Sequence, residues 1–345
     1  MNRKLNRSQW FPLILVSLFP ACLYADTIIG GLMATDTTWT ASNSPYIASQ
    51  SVVVQSQATL RIEPGVVVKF DPDCALVVSD GKLIASGTIQ SNIVFTANAA
   101  PPDLTSNRWG YIGFGDNAID ASFNSYGEYT NGCTIQHAVI EYAGGTTMEG
   151  AIHIEKSSPF ISHCIVVSNL NCGIYVQDAS NIRISCNTIS ENTNRGLLLY
   201  RCSDACVSNN IIAQNTALGS GFSGKGGGVF VHSGAQRCTF TCNQIFANGA
   251  SVGGGGVAAW NNSKNHTFTG EIVTSNSSPK GSAFYFEASS DGIILSRDSS
   301  YPTRILQNAS GNTNAVYNDN AYAFSPDPTG AGNIDARNVF WGTTN

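Results

Sequence analysis

Apolar residues fall along this chain in short bursts of alternating positions, without the three-and-four spacing of an amphipathic helix. In NIRISCNTISENTNRGLLLYRCSD (181–204), Ile182 and Ile184, then Ile189, then Leu197 and Leu199 are separated by polar turns. A period of two places Ile182 with Ile184, and Leu197 with Leu199, on one face of a strand. Three short strands are predicted, IRIS, TIS and GLLLY, with a tight turn at Cys186-Asn187 between the first two.

The unit recurs. Asn169, Asn192, Asn215, Asn248 and Asn276 mark one corner, and after them come GIYVQD from Gly173, GLLLYR from Gly196, GGVFVHS around Gly228, GGVAAWN around Gly256 and GSAFYFE from Gly281. The closest units are 23 residues apart, and the others lengthen only between Asn and Gly. Three strands in so few residues leave no room for a helix, so each unit is one coil of a solenoid stacked in parallel on the next. Ile184, Ile189, Leu197 and Leu199 are expected to point inward. The position of Asn187 is taken by Cys164, Asn210, Asn243 and Glu271 in other units. Stacked amides at a tight inward turn can hydrogen-bond along the axis.

Composition agrees with an all-β chain: 34 glycines in 345 residues and only 12% charged residues favour turns and strands over helices. A net charge of −5 with no basic block gives no electrostatic footprint for nucleic acid.

At the N-terminus, Arg3, Lys4 and Arg7 precede an apolar run from Trp10 to Tyr24 and the small residue Ala25, the layout of a cleaved secretory signal. Pro12 and Pro20 interrupt the run, which is short for a membrane anchor. The expected division is a signal peptide over 1–25 and one β-helix domain over 26–345. Within it, 26–60 forms the N-terminal cap and opening strands, and 297–345 the irregular C-terminal coils and cap. Once mature, the chain is not expected to span a membrane. Loss of Cys22 with the signal turns ten cysteines into nine, so at least one thiol has no partner within the chain. Cys164 with Cys186, or Cys206 with Cys238, sit on adjacent coils within reach of a bridge, whereas Cys186 and Cys242 are two coils apart. No more than two disulfides are expected, with most cysteines filling coil corners.

The segment TTWTASNSPYIASQSVVVQSQATLRIEPGVVVKF (37–70), the following GKLIASGT and RWGYIGF, and the ending RNVFWGTTN extend the pattern. Together they resemble the secreted bacterial right-handed parallel β-helix proteins of the pectin-lyase-like fold, over nearly the whole mature chain. The resemblance implies a single right-handed parallel β-helix with three sheets, exported to the periplasm, the cell surface or the medium. It also implies that a substrate cleft would lie outside the strand following the variable corner, here the Gly strand. No single activity follows from it.

Parity identifies the outward positions of the Gly strands. With Ile174 and Val176 inward, Tyr175 and Gln177 face out, as do Leu198 and Tyr200, Phe230 and His232, and Ala258 and Trp260; His153 with Glu155 and Tyr285 with Glu287 extend the rows. Coils about 4.8 Å apart make Tyr200, His232 and Trp260 a ladder of rings, suited to the apolar faces of an extended sugar chain. The insertions TALGSGFSGKGG and GASVGGG flank it. The expected ligand contacts are Tyr175, Tyr200, Phe230, His232, Trp260 and Tyr285. The plainer alternative is that these rings stack only on each other.

Catalysis asks for more. Glu155 and Asp178, in adjacent units, are the nearest to the carboxyl pair of a glycoside hydrolase, although Asp178 can equally pair with Arg201 in the next coil. For a uronate lyase or epimerase, Arg201, Tyr200 and His232 are the candidates. FDPD at 70–73 reads as a turn. His137 and His163 share a register, but a metal would need a third ligand. No metal or other cofactor is expected, and nothing in the sequence supports calcium. The leading reading is an exported structural or glycan-binding β-helix whose partner is a polysaccharide or envelope component. The alternative is a polysaccharide lyase, epimerase or glycoside hydrolase acting on the Gly-strand face.

Overall fold

Each coil contributes three strands, and each strand pairs in parallel with its counterparts one coil before and one coil after. A computed structural model describes residues 26–99, 107–146, 148–287, 290–296, 300–308, 315–318, 334–335 and 339–341. The expected signal segment, 1–25, and much of the expected closing region lie outside the described residues.

In the middle of the chain the Gly-strand sheet stacks Cys172–Gln177, Leu197–Tyr200, Val229–His232, Val257–Trp260 and Phe284–Phe286. The pre-turn sheet stacks Phe160–Ser162, Arg183–Ser185, Cys206–Ser208, Thr239–Thr241 and Thr267–Thr269. Across the tight turn, the post-turn sheet stacks Ile165–Val167, Thr188–Ser190, Ile211–Ala213, Gln244–Phe246 and Ile272–Thr274. The three sheets enclose one core, in which Ile184, Ile189, Leu197 and Leu199 are fully buried, as the alternation predicts. Like residues stack on like along the axis; Phe240 and Phe268 lie 4.5 Å apart with planes 8° from parallel. The architecture is a right-handed parallel β-helix.

Two inward ladders of amides fix the corners. At the tight turn the Asn187 amide donates to Asn210 Oδ1 (3.0 Å) and to the Ile161 carbonyl (3.1 Å), and Asn210 repeats this with Asn243 (2.9 Å) and Ile184 (3.0 Å). The residues before the ladder positions, His163, Cys186, Asn209, Cys242 and Gly270, have φ of 55° to 69°, which turns the chain and aims the next side chain inward. The sequence anticipates this ladder. It does not show that the corner asparagines form a second one, Asn169 to Asn192 to Asn215 to Asn248 to Asn276, with amide contacts of 2.8–3.0 Å.

The second ladder explains why glycine opens the next strand. A Cβ on Gly196 would meet Ile212 Cγ2 at 2.7 Å and Asn215 Nδ2 at 2.8 Å, so the Asn of the following coil occupies the space a side chain would need. Insertions are not confined to that corner. A hairpin of Ser122–Phe123 with Tyr129–Asn131 enters between a Gly-sheet strand and its pre-turn strand, and Phe123 packs edge-on against Phe160 at 5.2 Å.

Candidate functional site

The outward residues of the Gly strands form two columns. In register, His153, Tyr175, Leu198, Phe230, Ala258 and Tyr285 make the first, and Glu155, Gln177, Tyr200, His232 and Trp260 the second. Period two puts both columns outside the coil. Their exposure differs because of what lies on them.

The first column is roofed. Arg195, buried just before its Gly strand, donates from Nε to the Lys225 carbonyl (2.9 Å) and from NH2 to the carbonyls of Phe222 (2.7 Å) and Ser223 (3.2 Å). Its guanidinium lies 4.7 Å from the Phe230 ring centre. These bonds hold the insertion after Asn215 across the column, where the 3-10 turn Gly221–Gly224 forms. Lys225, also buried, sits 4.8 Å from the Trp260 ring centre and 5.3 Å from that of Tyr285, and pairs with Glu287. Phe230 and Tyr285, expected as ligand contacts, are therefore corrected: they are 0% and 1% exposed, outward of the coil but under the roof. Tyr175 and His232 are nearly covered, at 6% and 7%, each showing only an edge to the groove.

The second column carries the ring ladder. Tyr200 and His232 are 4.8 Å apart at 44°, and His232 and Trp260 6.1 Å apart at 36°. Phe222, supplied by the clamped insertion, stands nearly parallel to Trp260 (9°, 6.4 Å) while remaining 48% exposed. Tyr200, His232 and Trp260 thus share a groove of about 440 Å³ with Phe222, Tyr175, Ser233 and Glu149. His232 packs flat on Phe230 at 4.4 Å and its Nδ1 lies 2.9 Å from Ser233 Oγ. Burial first, then the charges of Arg195 and Arg201, push its pKa down to about 3, so the ring is neutral near pH 7. Sequence reasoning missed Arg195, Lys225, Phe222 and Glu149. The length of the insertion was the available signal, but length does not say which side chains fold back.

The catalytic candidates are committed elsewhere or separated. Arg201 binds Asp178 through two contacts, Nε to Oδ1 (2.6 Å) and NH2 to Oδ2 (2.5 Å), and donates from NH1 to Tyr200 Oη (3.0 Å). That pair holds the Asp178 carboxyl below its ordinary range, the opposite of what a general acid needs. Glu155 lies in register with Gln177, while Asp178 belongs to the turn beyond, so the two carboxyls occupy different columns. His137 and His163 stack at 4.7 Å, and among the described residues no three His, Cys, Asp or Glu side chains converge as a metal site. Asp71 accepts from Asn98 Nδ2 (2.8 Å), and Asp73 holds the left-handed turn position with φ 62°. A second groove of about 490 Å³ lies on the pre-turn face beside the hairpin, with Arg183 over the Phe123 ring at 3.8 Å; no ring ladder lines it.

The fold defines the class: a right-handed parallel β-helix. The family profile described as "Right handed beta helix region" matches residues 112–273. No curated protein matches the sequence. Among solved structures the chain is similar to a mutant of the periplasmic alginate epimerase AlgG, at 11% identity and TM-score 0.42, covering 86% of this chain and 77% of that one. It is similar to the A-module of a mannuronan C-5 epimerase from Azotobacter vinelandii at 12% identity and TM-score 0.33, covering 93% and 91%. For pectate lyase Pel9A the values are 14% and 0.31, covering 81% and 80%. Similarity at this level transfers neither activity nor residue roles.

Proposed function

We propose that this chain is an exported, non-catalytic β-helix that binds an extended glycan along its Gly-strand face. The observation that carries the reading is the row Tyr200, His232 and Trp260 in one register, with Phe222 held beside it by Arg195. Flat rings displayed along an axis suit the apolar faces of successive sugars, and a rigid scaffold lowers the ordering cost of binding. Export rests on the basic, apolar and small-residue layout of residues 1–25. The expected partner is a polysaccharide or another envelope component. Among the described residues no helix is long and apolar enough to cross a membrane.

Against catalysis on this face stand the engagement of Arg201 by Asp178 and the weak basicity of His232. Reducing-end and unsaturated-uronate assays are expected to stay flat. The binding test is Phe222→Ala beside Trp260→Ala. Phe222 is half exposed, so its loss leaves the core intact and should weaken glycan binding about fivefold with an unchanged melting temperature. Trp260→Ala should weaken binding further and lower the melting temperature slightly, because Trp260 also contacts Lys225. Unchanged affinity in both variants would mean that the ladder only stabilises the sheet.

A further inference from the structure

We propose that the groove selects uncharged glycans and discriminates against polyuronates, an inference that rests on the glycan-binding reading above. Its lining contains one charged side chain, the exposed Glu149, and that charge is negative. His232, neutral near pH 7, adds no positive charge.

Among the described residues the cations of the Gly-strand face are all engaged. Arg201 is tied to Asp178 by two contacts, and Lys156 lies 3.7 Å from Asp116. Arg195 spends its donors on the carbonyls of the roof, and Lys225 is buried against Glu287. Farther along, Lys280 sits over the Tyr317 ring at 5.1 Å. A polymer with a carboxylate on each sugar would meet Glu149 as a like charge. To recruit Arg201 it would have to displace Asp178, leaving that carboxylate beside a second anion.

The hydrogen-bonding inventory points the same way. Tyr175 Oη donates to Gln177 Oε1 (2.7 Å) and Tyr200 Oη accepts from Arg201 NH1 (3.0 Å). Glu149 brings two acceptor oxygens and no donor. Tyr200 keeps its own O–H and Trp260 its indole N–H as donors, so the rim mixes donors with acceptors and suits sugar hydroxyls, which do both, better than carboxylates, which only accept.

The experiment is isothermal titration of the mature chain with uncharged gluco- and xylo-oligosaccharides and, separately, oligogalacturonates and oligomannuronates, at low and high salt. Glu149→Lys is titrated in parallel. The expected result is measurable binding of an uncharged oligosaccharide with little salt dependence, polyuronate binding weaker by about tenfold or more, and a narrowed gap in Glu149→Lys. Polyuronate binding that is equal or tighter, falls with salt and weakens in Phe222→Ala would overturn the selectivity while leaving the groove as a glycan site. Failure of both classes to bind would overturn the selectivity and the underlying reading together.

Discussion

Glu271 is the residue whose surroundings conflict most with its ordinary chemistry. It occupies the ladder position filled by asparagine in the three preceding coils; its Oε1 accepts from Asn243 N (3.2 Å) and Nδ2 (3.1 Å), while Oε2 is buried with no partner. Burial pushes the carboxyl up to about 8. His266 is its counterpart: buried, accepting from Cys238 N at Nδ1 (3.2 Å) and facing Ser263 Oγ from Nε2 (2.8 Å), it is pushed down to about 3. The signs differ. A carboxyl raised on folding contributes stability present below its unfolded value of 4.5 and lost as pH rises toward 8. A histidine lowered on folding contributes stability present above 6.5 and lost as pH falls toward 3, and His232 behaves in the same way. Between 4.5 and 6.5 the two histidines outweigh the one carboxyl, and above 6.5 the carboxyl acts alone. Thermal melts from pH 4 to 9 should therefore peak near pH 6.5. Glu271→Gln should flatten the alkaline limb and add about 1–3 kcal/mol at pH 8; an unchanged alkaline limb would mean that Glu271 is solvated.

At the scale of the element, the corner is a unit of two parts, the inward asparagine of one coil and the glycine of the coil before it. Gly196→Ala forces a methyl group against Ile212 and Asn215 and should cost about 1–3 kcal/mol. Asn210→Ala is expected to be worse, by about 3–5 kcal/mol, because it orphans the Asn187 donors and the Ile184 carbonyl inside the core at once. Asn210→Asp should not rescue it, since the position that donates to Ile184 and Asn243 would become an acceptor. Denaturant midpoints of the three variants measure this, and a wild-type midpoint in Asn210→Ala would show that the ladder contributes no net stability. The Asn and Gly of the repeat are legible in sequence as punctuation. Their mutual contact is not, because it joins residues of different coils.

At the scale of the whole molecule, stacking rather than cross-linking holds the coils. All nine described cysteines are free, in accord with the expectation of at most two bridges. Burial pushes Cys164, Cys202 and Cys238 up to about 12 and Cys133 to about 11, so they act as small apolar fillers. Titrating the denatured, non-reduced mature protein with a thiol reagent should count nine thiols, whereas the native protein should react first at the exposed Cys186. Fewer than nine in the denatured state would reveal a bridge between coils.

The repeat made the coil, its three strands, the inward residues and the tight-turn ladder readable, because a period of two and a constant register are local properties that every unit restates. It also placed Tyr200, His232 and Trp260 in one outward row, and the Asp178–Arg201 pair one coil apart. Outward was not the same as exposed. Whether Phe230, Tyr285 or Trp260 meets solvent depends on where the insertion after Asn215 folds back, and that segment has no period to read. Arg195 decides it, through bonds to backbone carbonyls 27 to 30 positions further along the chain. The sequence by itself determined the scaffold and the side of each strand on which a residue lies. Tertiary structure decided which part of that side is roofed and which is groove, because covering a surface takes long-range contacts that no single coil contains.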